Sequence, residues 1–82
     1  MNLSTLPEFR MEAAKADLRN RDVFQELIEA GMELTSVSIE KMAEKLNTPS
    51  GTITRWQSGH TAPTLAVRKA VIEYISSYVG AA

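Results

Sequence analysis

Between Ser38 and Thr64 the chain reads SIEKMAEKLNTPSGTITRWQSGHTAPT, two short helical patterns separated by a turn too short to be a linker. In the first pattern, Ile39, Met42, Ala43 and Leu46 recur at spacings of three and four, which places them on one stripe of a helix. Asn47 follows, one of the few non-glycine residues that tolerates a left-handed backbone at a helix end. Thr48-Pro49 then reads as an N-cap with proline at the first helical position. The second helix runs over 49–57, turns Ile53 and Trp56 inward, and ends at Gly59.

Two short helices, a tight turn and small residues on the outer face of the second helix form a helix-turn-helix pattern. The residues Met42-Ala43, Leu46, Asn47, Ile53, Trp56, Gly59 and Pro63, aligned without a gap, resemble the core of the lambda-repressor-like Cro/C1 (XRE) DNA-binding family. The set is more specific than any one residue in it. The resemblance covers about a third of the chain. It implies an all-α fold, a compact bundle of four to five helices containing the helix-turn-helix. The chain departs from the family pattern at Ile39, where many members carry Gln. Thr48 replaces a branched apolar turn residue, and Gln57 replaces a common Glu. The join before the motif, Met32 to Ser38, is also longer than usual.

With 82 residues the chain is one domain, small enough to be marginally stable. We divide it into an N-terminal helical extension, 1–20, and a helix-turn-helix domain, 21–82, with the motif at 38–58. There is no cysteine and one histidine, so disulfides, thiolate metal sites and a zinc site are excluded, and no cofactor is expected. No apolar run approaches the ~20 residues of a membrane span, and no signal-peptide core is present at the start. The expectation is a cytoplasmic protein of a bacterial or phage-infected cell, with no membrane partner. Net charge is −1, which argues against a binder that works through bulk charge alone. The halves differ: residues 1–35 hold four basic and seven acidic side chains, and residues 36–82 hold five basic and three acidic.

Thr5-Leu6-Pro7-Glu8 fits a capping box. Leu6, Phe9, Ala13 and Ala16 share a face, and the same spacing continues through Asn20, Val23, Leu27 and Ala30. Residues 6–30 therefore read either as one helix or as two, with Asn20 or Asp22 capping the second. Val23, Phe24, Leu27 and Ile28 form the strongest amphipathic face, and Gly31 fits the position just past a helix end. Ser38 suits an N-cap. After the motif, His60–Pro63 is a loop, and one helix over 65–79 presents Val67, Val71, Tyr74, Ile75, Tyr78 and Val79. Arg68 reads with Lys41, Lys45 and Lys69 as an ordinary surface charge.

The resemblance implies that the second motif helix enters the major groove of duplex DNA. Its outward residues, Ser50, Gly51, Thr54 and Arg55, are the candidate base contacts. An arginine can take guanine O6 and N7 in bidentate fashion, or a phosphate. Gly51 costs helix stability, which a close backbone approach to DNA would explain. Candidate phosphate contacts are the amide end at Ile39, with Thr48, Ser58, His60 and Thr61. His60 has no nucleophile or metal partner at a recognisable spacing, so no enzyme is expected. The sequence thus reads as a transcriptional regulator of the repressor or Cro kind, bound to an operator as a homodimer or higher homo-oligomer through the 6–30 seam or the 65–79 helix. The alternative is a protein-interaction, antitoxin-like or assembly-adaptor module on the same scaffold. If Trp56 is core, Trp56→Ala should cost about 3–5 kcal/mol; a native circular dichroism spectrum and melting temperature in that variant would overturn the assignment.

Overall fold

A computed structural model describes residues 1–78 as five helices: α1 (Leu6–Lys15), α2 (Arg21–Thr35), α3 (Ile39–Leu46), α4 (Ser50–Ser58) and α5 (Leu65–Ser77). The fold is all-α, a compact bundle. Its Cα radius of gyration is 11.5 Å, close to the ~12 Å of a single packed domain of this length. Among the described residues no helix is long and apolar enough to cross a membrane.

Local chemistry sets most of the helix ends. The Thr5 hydroxyl accepts the Glu8 amide at 3.3 Å and caps α1, with Pro7 in the first turn. Residues 6–30 are two helices. α1 stops at Lys15, and Ala16 is extended. The Asn20 side chain accepts the Asp22 and Val23 amides at 2.9 and 3.4 Å and starts α2. In the intervening turn the Arg19 guanidinium bonds Asp17 and holds its carboxyl below the usual range. Ser38 caps α3 by accepting the Lys41 amide at 3.0 Å. Asn47 ends α3 in the left-handed region, at φ 51°.

One boundary differs from the sequence reading for a tertiary reason. Gly31 does not end α2; the helix runs through it to Thr35 and stops where Ser36 turns left-handed, at φ 59°. The join to α3 is therefore Ser36–Ser38 and not the longer stretch from Met32. Gly31 is buried where three helices meet. A Cβ there would lie 2.6 Å from both Phe9 Cζ of α1 and Ile75 Cγ2 of α5. Glycine in a helix interior costs about 0.5–1 kcal/mol against alanine. Here that cost is offset by the close approach of Phe9 and Ile75, both fully buried.

α2 is the centre of the bundle and packs on α1, α4 and α5. Phe24, Leu27, Ile28 and Met32 of α2 meet Phe9, Met42, Ile53, Trp56, Val71, Ile72 and Ile75 in one core, closed by Leu18 and Val37. Segment 1–20 shares that core through Phe9 and Leu18. α5 is a single helix, as read from the sequence, but its buried arc is shifted. Val67 is 38% exposed, and Ile72, at 3%, belongs to the core instead. The reason is that α5 has two neighbours, α1 and α2, so its buried arc is centred on Val71, Ile72 and Ile75. Val79, assigned to this face from the sequence, lies outside the described residues, as do Gly80, Ala81 and Ala82.

Two arginines complete the joins. Arg68 is not an ordinary surface charge. Its guanidinium donates to the carbonyls of Pro63 at 2.7 Å, Leu18 at 2.9 Å and Arg19 at 3.2 Å. It ties the loop before α5 to the turn between α1 and α2. Arg10 Nε donates to the Ser76 carbonyl at 2.9 Å, in the last turn of α5 where carbonyls lack helical partners. No buried side-chain nitrogen or oxygen among the described residues lacks a partner. Gly31→Ala should destabilise the fold by about 1–3 kcal/mol through overpacking, measured by urea unfolding. Unchanged stability would show that Phe9 and Ile75 can withdraw without cost.

Candidate nucleic-acid interface

α3 and α4 pack against each other across the turn Asn47–Pro49. The turn is built from backbone bonds. Asn47 and Thr48 return their amides to α3, with Thr48 N donating to the Ala43 carbonyl at 2.9 Å. The start of α4 corrects the sequence reading by one residue. Pro49, and not Thr48, occupies the N-cap, with ψ at 141° outside the helix, and no side chain caps α4. Thr48 instead belongs to the end of α3, where its amide is committed and it is half-buried. At the other end Gly59 takes φ 81° and donates its amide to Trp56 O at 3.2 Å.

The inward side of α4 is clamped to α2. Ile53 is fully buried, and Trp56, 5% exposed, meets Phe24 edge-on with ring centroids 6.4 Å apart. Gln25 and Gln57, to which the sequence assigned no contact, complete the clamp. Gln25 Nε2 donates to the Gln57 carbonyl at 3.1 Å, satisfying one of the last carbonyls of α4. Gln57 Nε2 points back to Met32 Sδ at 3.3 Å. The Gln25 amide also fills the space a side chain at Gly59 would need, 2.8 Å from a Cβ there. The signal for Gln25 was its position: with Ile28 and Met32 it falls at spacings of three and four on an otherwise apolar face of α2.

The outward side has no such partners. Ser50, Gly51, Thr54 and Arg55 are all exposed and form one row on α4. Their bonds are local: Thr54 Oγ1 donates to the Ser50 carbonyl at 3.3 Å, and Arg55 Nη2 reaches Thr52 Oγ1 at 3.5 Å. The ion pairs found among the described residues join Lys15 to Glu12 and Arg19 to Asp17, so Arg55 is in neither. At Gly51 an added Cβ would meet nothing within 4 Å. The protein's own packing therefore gives no reason for glycine there.

Ser58, His60 and Thr61 stand together at the far end of α4 and are exposed. The Arg55 carbonyl gathers them, accepting the His60 amide at 3.0 Å, the Ser58 hydroxyl at 3.1 Å and the Thr61 amide at 3.5 Å. Ser58 Oγ also lies 3.1 Å from His60 Nδ1. Ile39 is apart from this group. Its side chain is half-buried against the core, and its amide, at the capped start of α3, lies outside that helix's own ladder. Among the described residues no group of three His, Cys, Asp or Glu side chains is placed to hold a metal. A groove of about 430 Å³ lies elsewhere, between α1 and α5, against Ala13, Ala14 and Ile72.

No family model matches the chain, and no curated protein or solved structure matches it. Because Gly51 sits in open space, Gly51→Ala should raise the stability of the free protein by about 0.5–1 kcal/mol, measured by thermal or urea unfolding. A loss of stability would mean that the first turn of α4 needs glycine for its own conformation.

Proposed function

We propose that the chain is a sequence-specific duplex-DNA-binding regulator of the lambda-repressor-like helix-turn-helix kind, with α4 as the recognition helix. The observation that carries the reading is the two-sidedness of α4. One side is locked to α2 by Ile53, Trp56 and Gln57; the other is a row of small or extendable polar residues with no tertiary role. An α-helix with its side chains is about 10–12 Å across, the width of the B-DNA major groove. Small residues at Ser50 and Gly51 let the helix start come close to the bases. Stability alone does not favour glycine at 51, and an approach to DNA does.

In this reading Arg55 takes a guanine edge, while Thr54 offers a methyl to thymine and a hydroxyl to a base edge. Ser50 donates or accepts at the helix start. Thr48, Ser58, His60, Thr61 and the amide end at Ile39 hold the phosphate backbone, which orients the helix without reading sequence. The protein acts in the cytoplasm as a homodimer or higher homo-oligomer, on half-sites about one helical turn apart.

One observation favours the second reading, an interaction or adaptor module. Asp22, Glu26, Glu29 and Glu33 form an exposed acidic stripe along α2, and none of them is in an ion pair among the described residues. Such a stripe suits a basic protein partner and repels DNA. Selection from random duplexes, followed by titration across salt, separates the two. A regulator selects a site, and its affinity falls linearly in log salt. Arg55→Ala should then cost about 1–3 kcal/mol and relax preference at one base pair. A uniform loss over all sequences would move Arg55 to the phosphates, and failure to select any site would favour the adaptor.

A further inference from the structure

We infer that His60 meets a phosphodiester oxygen as the imidazolium, so that DNA binding takes up a proton; the inference rests on the DNA-binding reading of α4. The argument begins with one hydroxyl proton. Ser58 Oγ lies 3.1 Å from the Arg55 carbonyl and 3.1 Å from His60 Nδ1. Its back-bond to Arg55 is local to the last turn of α4 and does not depend on the loop. With the Ser58 proton on that carbonyl, Oγ can only accept from the ring, and Nδ1 must carry a proton. A phosphate oxygen is an acceptor as well. The remaining ring nitrogen, Nε2, therefore needs its own proton to meet it, and a ring protonated on both nitrogens is the imidazolium.

The relay runs from Nε2 through Nδ1 and Ser58 Oγ to the Arg55 carbonyl. It fixes the ring at the end of the same turn that presents Arg55. The loop itself is held: the His60 and Thr61 amides bond that carbonyl, and Gly59 rests on Gln25. Charged groups near this loop include Arg55 on α4 and Arg21 and Asp22 at the start of α2. The latter two line a shallow depression of about 230 Å³ with Gly59 and Thr61. No ion pair among the described residues involves His60. It is also the single histidine of the chain.

The test uses the full chain and a labelled duplex recovered by selection from random DNA, titrated by fluorescence anisotropy at fixed salt from about pH 5 to 8. Affinity should fall as pH rises through the imidazole range, by up to about tenfold per pH unit for one linked proton. His60→Gln keeps a side-chain donor but cannot titrate. Its profile should be flat, with circular dichroism unchanged because the side chain is exposed. A flat profile in the parent protein overturns the inference and puts the Ser58 proton on Nδ1, with the neutral ring donating from Nε2. A slope that survives in His60→Gln also overturns it. Failure to recover any duplex removes both this inference and the DNA-binding reading, whereas tight, pH-independent binding removes this inference alone.

Discussion

The contact on which the bundle depends is the meeting of Phe9, Gly31 and Ile75. α2 can touch α1 and α5 at one level only because position 31 has no side chain; a Cβ there would overlap both neighbours. Phe9 and Ile75 are fully buried, as are Leu27 and Ile28 of α2. Full burial of such side chains contributes about 1.5–3 kcal/mol each, which is large against the stability of a domain this small. The glycine's unfavourable helix propensity is thus outweighed by the packing it permits.

From that point the structure divides into two bodies of work on either side of α2. On one side α1 and α5 close the core, with Arg68 and Arg10 donating to carbonyls that the turn geometry leaves without helical partners. Both arginines act at turns or a helix end, where backbone carbonyls lack helical partners. On the other side α4 is fixed by an aromatic edge contact and by a pair of glutamines, one of which satisfies a terminal carbonyl. A rigid inner face is what an outer face needs if its side chains are to be held in register with a ligand.

The charge distribution agrees with this division. The acidic stripe of α2 lies on the half of the chain with net negative charge, and the exposed row of α4 lies on the half with net positive charge. Neither excess is large. In the proposed DNA-binding reading, recognition by α4 rests on shape and hydrogen bonding close to the surface, with steering as a secondary effect.

The sequence by itself determined the local events. Thr5, Ser38, Asn47 and Gly59 start or stop helices through their own side chains or backbone freedom, and each does so in the structure. The sequence left 6–30 open between one helix and two, with Asn20 or Asp22 as the second cap, and it put the α4 cap at Thr48 where the structure has Pro49. The inward set Met42, Ile53 and Trp56 was legible from spacing alone, because helical period and burial coincide there. The outward row of α4 followed as its complement. What the tertiary structure decided was everything that depends on a second element. Gly31 looked like a helix end because glycine usually is one, and only Phe9 and Ile75 make it an interior residue. Ile72 replaced Val67 in the core because α5 faces two helices instead of one. Arg68, Gln25 and Gln57 gained their roles from carbonyls and a sulfur 25 to 50 residues away. Periodicity has no access to such partners, since it records which side of a helix is apolar and not what that side will meet.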